Sequence, residues 1–288
     1  MTDGQHSGAR GSRARHKAAA LLASVALSGR VGLVGLVSVT PACVHGPASP
    51  GDEQRSTGEY DLAGDAFKNR KLREALDHIQ KALKLNPDNA DAAYLGATVM
   101  LAFCALDDKS PDCRLKEAED YARRALAAAP EHRDAKNALG VILVHEGRYD
   151  EAIAILKPLT EDLVYASPES AWGNLGWAYF QRGSTDEALD AFRRAVAVQP
   201  LFCVGQYRLG LAYEKKGDLA AAREAFTKAV ETDQPQCKRL QDAFSARARV
   251  LSRQGLKTEA RADLERCRDL SRDTPVGQKC AAQLQTYQ

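Results

Sequence analysis

The stretch from Trp172 to Pro200, WGNLGWAYFQRGSTDEALDAFRRAVAVQP, contains the pattern that decides the fold. On each side of Gly183, apolar and small residues recur three and four positions apart, which is the spacing of one helix face. A glycine between two such patterns is typical of the end of a helix. The stretch therefore predicts two short helices, one on each side of Gly183. The positions that define the pattern are Trp172, Leu175, Gly176, Tyr179, Gly183, Ala188, Phe192, Ala195 and Pro200.

The pattern recurs along the chain. An alanine equivalent to Ala188 occurs six times, at intervals of 43, 34, 36, 34 and 38 residues, and four of these alanines follow a Leu-Gly pair. This arrangement resembles the tetratricopeptide repeat (TPR), a helix pair with a period of about 34 residues. The resemblance implies an all-α fold, a right-handed α–α superhelix of about six TPR helix pairs with a C-terminal capping helix, because one pair cannot bury its own apolar face. The six alanines are Ala75, Ala118, Ala152, Ala188, Ala222 and Ala260.

We predict a TPR domain over residues 57–288, with a capping helix at 275–286. The second repeat is roughly ten residues longer than the usual period, and the excess lies between Ala102 and Leu115. The sixth repeat has Arg247 where leucine is usual. The predicted repeats are residues 57–89, 90–132, 133–168, 169–202, 203–236 and 241–274.

Charge and motifs exclude several classes of function. The net charge is only +2, so we expect no general affinity for nucleic acid. The six histidines are scattered, no Cys-x2-Cys pair occurs, and no phosphate loop or nucleophile elbow is present in the sequence. We therefore predict no catalytic residues, no metal site and no cofactor. A stacked helical array offers a groove for a protein partner, so binding is the leading hypothesis for the function.

The first 42 residues are predicted to be a signal peptide. Basic residues near the start are followed by an apolar stretch, residues 18–42, that is interrupted by Arg30 alone. The stretch ends at Cys43 and looks like a bacterial lipoprotein signal, in which Cys43 would carry lipid, although Thr40 stands where leucine is usual. Residues 43–56 then form a flexible tether, because they contain few large apolar residues.

Two other interpretations of this segment remain open. It is long enough to be an uncleaved membrane anchor, at a cost of roughly 2.5–3.5 kcal/mol for Arg30. It could also be cleaved by an ordinary signal peptidase after Ala26-Leu27-Ser28. All three interpretations export the domain.

The cysteines fit an oxidising compartment. Apart from Cys43, six remain, an even number that allows 15 pairings. Their positions in the repeats favour closure of the inserted loop, a link between neighbouring repeats and a link to the capping helix. The alternative is free thiols that pack as small apolar groups. The predicted pairs are Cys104–Cys113, Cys203–Cys237 and Cys267–Cys280.

The first helices of the repeats carry a second apolar face. In the fourth repeat, Leu175 and Tyr179 face the partner helix, whereas Trp177 and Phe180 lie on another face. In a TPR array that face lines the concave surface, and exposed aromatic residues there tend to mark a binding site. The alternative is that these residues pack between neighbouring helices. The predicted partner-binding groove comprises Val141, Val144, Trp177, Phe180, Tyr207 and Leu211.

About a third of the chain resembles a narrower family. Residues 137–229 include ALGV at 138–141, GRYDEA at 147–152, LVYASPE at 163–169 and NLGW at 174–177. This part is similar to the PilF/PilW family of type IV pilus pilotins, and to Tgl of gliding bacteria in particular. The connection at 163–169 is the most family-like part, because generic TPRs lack it. The Cys104–Cys113 insertion departs from the family pattern.

The resemblance implies a lipoprotein on the periplasmic face of the outer membrane of a Gram-negative bacterium. It would bind secretin subunits and promote their assembly into the type IV pilus channel. An alternative is a general periplasmic TPR adaptor for another envelope complex. An enzyme with an appended TPR module is a third class, but no stretch of sequence is left over to be the enzyme.

Overall fold

The computed structural model describes residues 48–106 and 109–287 of the chain, so the predicted signal peptide and Cys43 lie outside the described residues. The described part is helical, without strands, and its helices follow one another as antiparallel pairs. The pairs are α1 Pro50–Lys68 with α2 Leu72–Leu85, α3 Ala90–Leu106 with α4 Leu115–Ala128, α5 Arg133–His145 with α6 Tyr149–Thr160, α7 Pro168–Arg182 with α8 Thr185–Val198, α9 Cys203–Lys216 with α10 Leu219–Glu231, and α11 Gln241–Arg253 with α12 Lys257–Leu270. A last helix, α13 Pro275–Leu284, packs on α11 and α12 and ends in a 3₁₀ turn at Gln285–Tyr287.

The repeated alanines form the centre of each pair. All six that set the sequence period are fully buried. A small residue at this position lets the two helices approach closely, and larger side chains such as Phe192 and Phe226 fill the space beside it. Gly176 serves the same purpose on the facing helix, since a Cβ atom there would lie 2.7 Å from the Phe192 ring. The fold is therefore the predicted stack of TPR helix pairs.

Glycine ends the first helix in four successive pairs. Gly183, for example, has a φ of 95°, and its N–H donates to carbonyls of the last turn of α7. This left-handed conformation is the usual helix end and favours glycine strongly. It reverses the chain within a few residues, so the second helix can pack on the first. The equivalent residues in the other pairs are Gly147, Gly217 and Gly255.

The start of the domain corrects a prediction. Helix α1 begins at Pro50, inside the segment 43–56 that the sequence predicts as a flexible tether. Ser49 caps the helix by accepting from the Asp52 amide at 3.1 Å, and Pro50 suits the first helical position. Ser56 is buried and donates to the Ala82 carbonyl oxygen at 2.8 Å. The predicted boundary at residue 57 is therefore wrong, because short polar residues fix this turn to α2.

The three predicted cysteine pairs are joined as disulfides in the structure. Cys104 and Cys113 close the insertion between α3 and α4. Cys203, at the start of α9, is bonded to Cys237 in a 3₁₀ turn before α11. Cys267 of α12 is bonded to Cys280 of α13, which attaches the capping helix.

Candidate functional site

The first helices of the pairs form the inner face of the array. Each first helix contacts the first helix of the next pair, from α1 through α11, whereas successive second helices make no contacts of comparable extent among the described residues. In a curved stack, the helices that lie closer together are on the concave side. Side chains on the exposed face of α5, α7, α9 and α11 therefore line a common groove.

Trp177 and Phe180 meet on this face of α7. Their rings are stacked, with centroids 5.3 Å apart and planes inclined by 12°. Residues three positions apart on a helix are neighbours on one face, so the sequence spacing alone places the two rings together. Both side chains are half-buried, which leaves ring surface open to the groove.

Two cations of the next repeat cover part of the aromatic pair. The Arg208 guanidinium lies 5.1 Å from the centroid of the Trp177 ring, and the Lys215 ammonium lies 4.7 Å from that of Phe180. Cation–π contacts of this kind contribute roughly 0.5–1 kcal/mol at exposed sites. The site is thus both aromatic and positively charged. We call these four residues, Trp177, Phe180, Arg208 and Lys215, the aromatic–cation patch.

A polar network holds Arg208 over the ring. Its Nη1 donates to the Gly173 carbonyl oxygen at 3.1 Å and to Asn174 Oδ1 at 3.0 Å. Asn174 Nδ2 donates in turn to Asn137 Oδ1 of α5 at 3.0 Å. Burial lowers the pKa of Arg208 to about 10, so the group remains protonated at neutral pH. The network connects three successive first helices and fixes the patch in place.

The other predicted groove residues divide between surface and core. Val144 is only 7% exposed and belongs to the same core cluster as Leu175 of α7, so its assignment to the groove is wrong. Val141 is partly exposed on α5. Tyr207 and Leu211 are half-buried and pack against the core cluster that contains Phe226. Burial raises the pKa of the Tyr207 phenol to about 12.

An exposed apolar loop lies between α6 and α7, and the sequence prediction of the groove did not include it. Leu163 is 100% exposed and Val164 is 72% exposed. Tyr165 next to them is buried, and its hydroxyl donates to Asp134 at 3.0 Å. The loop is therefore anchored while it displays two aliphatic side chains. It coincides with the stretch at 163–169 that carries the resemblance to the pilotins.

The described part of the chain contains neither a cluster of metal-ligating side chains nor a helix that could cross a membrane. No three His, Cys, Asp or Glu side chains among residues 48–106 and 109–287 lie close enough to hold a metal ion. No helix in those ranges has the length and apolar character needed to cross a bilayer.

The fold and the groove define a helical-repeat protein of the kind that binds other proteins. Comparison by sequence gives the family. Four stretches match models of the tetratricopeptide repeat, and together they cover more than half of the chain, so the chain belongs to the tetratricopeptide repeat family. The matched residues are 60–102, 114–164, 170–201 and 205–235. No curated protein matches the sequence.

Solved structures share the arrangement of the pairs. PilW, described as a widely conserved type IV pilus biogenesis factor, gives a TM-score of 0.64 at 21% identity, over 78% of this chain and 98% of that one. PilF of Pseudomonas aeruginosa gives a TM-score of 0.61 at 18% identity, over 81% of this chain and 99% of that one. A TPR protein of Parabacteroides merdae gives a TM-score of 0.63 at 17% identity, over 81% of this chain and 84% of that one. At these identities the likeness shows a common fold.

Proposed function

We propose that the protein is a non-enzymatic TPR lipoprotein of type IV pilus biogenesis. It binds a segment of a secretin subunit in its concave groove and promotes the assembly of these subunits into the outer-membrane channel. The observation that carries the proposal is the aromatic–cation patch on the inner face of the array. The array itself matches the solved PilW and PilF chains over nearly their whole length.

The patch suits a peptide that contains both apolar and polar groups. An extended or helical segment can place an apolar side chain against the open surface of Trp177 and Phe180, and aromatic anchors usually dominate such binding. Arg208 and Lys215 beside the rings can donate hydrogen bonds to a carboxylate or carbonyl oxygen of the segment. The patch is held by contacts between repeats, so little ordering is needed on binding.

The exposed loop extends the proposed contact surface. Leu163 and Val164 are fixed by the buried Tyr165, and exposed aliphatic groups on an anchored loop favour a protein contact. The pilotin-like sequence at 163–169 supports the same partner for the loop and for the groove.

We further propose that Cys43 carries the lipid that holds the domain on the periplasmic face of the outer membrane. Cys43 ends the apolar run of the signal, and the other six cysteines are paired. Labelling of cells with a fatty-acid analogue should mark the wild type and leave Cys43→Ala unmarked. An unlabelled wild type, or a mature terminus at Gly29, contradicts this proposal.

The function can be tested in cells that lack the gene. We expect the wild-type protein to co-purify with the secretin and to restore the secretin multimer in outer-membrane extracts. Leu163→Ser with Val164→Ser should reduce both the co-purification and the multimer without lowering the melting temperature. Val198→Ser, at an aliphatic residue that is 50% exposed at the end of α8, is the control. Co-purification of a different envelope complex in place of the secretin would instead support a general periplasmic adaptor.

A further inference from the structure

A second cleft lies at the C-terminal end of the array. It has a volume of about 750 Å³ and is bounded by α11, α12 and the end of α13. Four of its lining residues are cations, and none of its described lining residues carries a carboxylate. These cations, Arg249, Arg253, Lys257 and Arg261, define what we call the basic cleft.

The cleft exists because the capping helix is short. The Cys267–Cys280 disulfide and the hydrogen bond from Thr274 Oγ1 to Gln241 Oε1 fix α13 to the far end of the sixth pair. From there α13 runs antiparallel to α12 but has 10 residues against 14. At 1.5 Å per residue it stops before the start of α12. The uncovered part of α11 and α12 is the cleft, and it extends the inner face of the array.

The charge in the cleft exceeds that of the carboxylates around it. Glu214 of α9 accepts two hydrogen bonds from Arg249, at 2.7 and 2.8 Å, and a longer one from Arg253 at 3.5 Å. Arg261 donates to Glu265 at 3.0 Å. Lys257 is exposed and makes no ion pair within the described residues. Two carboxylates therefore face four cations.

We infer that the basic cleft binds an acidic segment of a protein partner through that segment's Asp and Glu side chains. Arg253, whose contact with Glu214 is long, and Lys257 keep N–H donors that suit carboxylates. Thr258 and Leu264 supply a hydroxyl and an apolar surface in the same cleft. The inference rests on the proposed binding role but not on the identity of the partner. It adds a charge requirement at one end of the groove to the aromatic requirement at its centre.

The test uses a short fluorescein-labelled peptide that alternates glutamate with leucine, and a counterpart with glutamine in place of glutamate. We expect the glutamate peptide to bind the exported wild-type domain, and we expect added salt to weaken this binding. The glutamine peptide should compete with it only weakly. Arg253→Gln with Lys257→Gln should weaken the binding of the glutamate peptide by roughly tenfold. The control, Arg223→Gln with Arg266→Gln, removes two exposed cations outside the cleft that make no ion pair with any residue that the structure describes. This control should bind the peptide normally.

An equal loss of affinity for the glutamate peptide in both double variants would overturn the inference, because it would show only nonspecific attraction between charges. Equal binding of the glutamate and glutamine peptides would also overturn it, as would tighter binding of a single-stranded DNA oligonucleotide at the same residues. If the double variant does not fold, as judged by circular dichroism, Lys257→Gln alone repeats the test. Trp177→Ala should bind the glutamate peptide like the wild type, so a failure of this inference is distinguishable from a failure of the proposed function.

Discussion

Arg247 and Asp263 form a two-point salt bridge between the helices of the sixth pair. Arg247 Nε donates to Asp263 Oδ2 at 2.7 Å, and its Nη2 donates to Oδ1 at 2.8 Å. The two side chains are only 16% and 7% exposed. Arg247 stands where the third, fourth and fifth repeats have leucine, so a buried ion pair replaces an apolar contact at this end of the array.

This pair gives the first prediction. Asp263→Ala leaves a buried guanidinium without its main partner and should destabilise the protein by about 3–5 kcal/mol. Arg247→Leu together with Asp263→Ala restores the usual leucine and should fall close to the wild type, because apolar replacement of a buried pair is often neutral. Urea unfolding of the single and double variants measures both effects. If the double variant loses as much free energy of unfolding as Arg247→Leu and Asp263→Ala lose together, the prediction is contradicted.

A second prediction concerns acid. Glu119 is 3% exposed and accepts hydrogen bonds from Lys116, Arg123 and Arg148 at 2.7–2.9 Å. Burial alone would raise the pKa of Glu119, but the bonds from Lys116, Arg148 and Arg123 outweigh it and lower the pKa to about 2.

Since the folded pKa of Glu119 is below its ordinary value of 4.5, the stabilisation is complete above that pH and is lost as the pH falls toward 2. The loss should reach about 3 kcal/mol at about 1.4 kcal/mol per pKa unit. Urea midpoints across this range should fall steeply for the wild type and less for Glu119→Gln. Asp120→Asn, at an exposed neighbour, should keep the wild-type slope. An unchanged slope in Glu119→Gln would contradict the prediction.

The third prediction compares two glycines in helices. Gly210 faces Phe226, and a Cβ atom there would lie 2.5 Å from the ring, whereas Gly58 has no such neighbour within 4 Å. Alanine favours a helix over glycine by about 1 kcal/mol. Gly58→Ala should therefore raise the free energy of unfolding by about that amount, and Gly210→Ala should lower it by roughly 1–3 kcal/mol through overpacking. Stabilisation by both substitutions would show that the fifth pair has room that the structure does not indicate.

The fourth prediction concerns the disulfides. Cys203 and Cys237 are 34 residues apart in sequence, against 9 for Cys104 and Cys113. On the chain-entropy account, the longer loop contributes about 4 kcal/mol and the shorter about 3. Replacing Cys203 and Cys237 with alanine should thus cost more stability in urea unfolding than replacing Cys104 and Cys113. Alkylation of denatured, unreduced protein should modify none of the six cysteines, and two or more reactive thiols would reject the pairing.

The sequence was sufficient to predict the helix pairs and their order. Residues equivalent to Leu175, Gly176 and Ala188 recur along the chain because the two helices of each pair pack closely in the same way. The start of α1 was missed because it depends on hydrogen bonds of Ser49 and Ser56 and not on large apolar residues.

The groove was harder to predict than the fold. A helical spacing of three and four places Val144 beside the exposed face. The spacing does not determine how the next helix pair packs against that face, and in the structure Val144 is buried. The cations over the rings were also missed. Arg208 and Lys215 belong to the following helix, and only the stacking of neighbouring repeats brings them to Trp177 and Phe180.

Two tryptophans of α7 allow a matched test of the groove. Trp172 and Trp177 are both half-buried, and each lies near an arginine, Arg194 at 4.8 Å and Arg208 at 5.1 Å from the ring centroid. They point to different sides of the helix, since Trp172 lies in a cleft with residues of α6 and α8. Loss of either indole should therefore affect stability similarly, while only Trp177 lies in the proposed binding surface.

The most direct measurement is the affinity of the TPR domain for the purified secretin subunit, by titration calorimetry, for Trp177→Ala and Trp172→Ala. The melting temperatures of both variants are measured alongside. The proposed function predicts that Trp177→Ala loses about 2 kcal/mol or more of binding free energy, roughly 30-fold in Kd. Trp172→Ala should bind like the wild type, and the two variants should melt at similar temperatures. Normal binding by Trp177→Ala, or a loss of binding that Trp172→Ala shares, would contradict the assignment of the concave groove as the binding site.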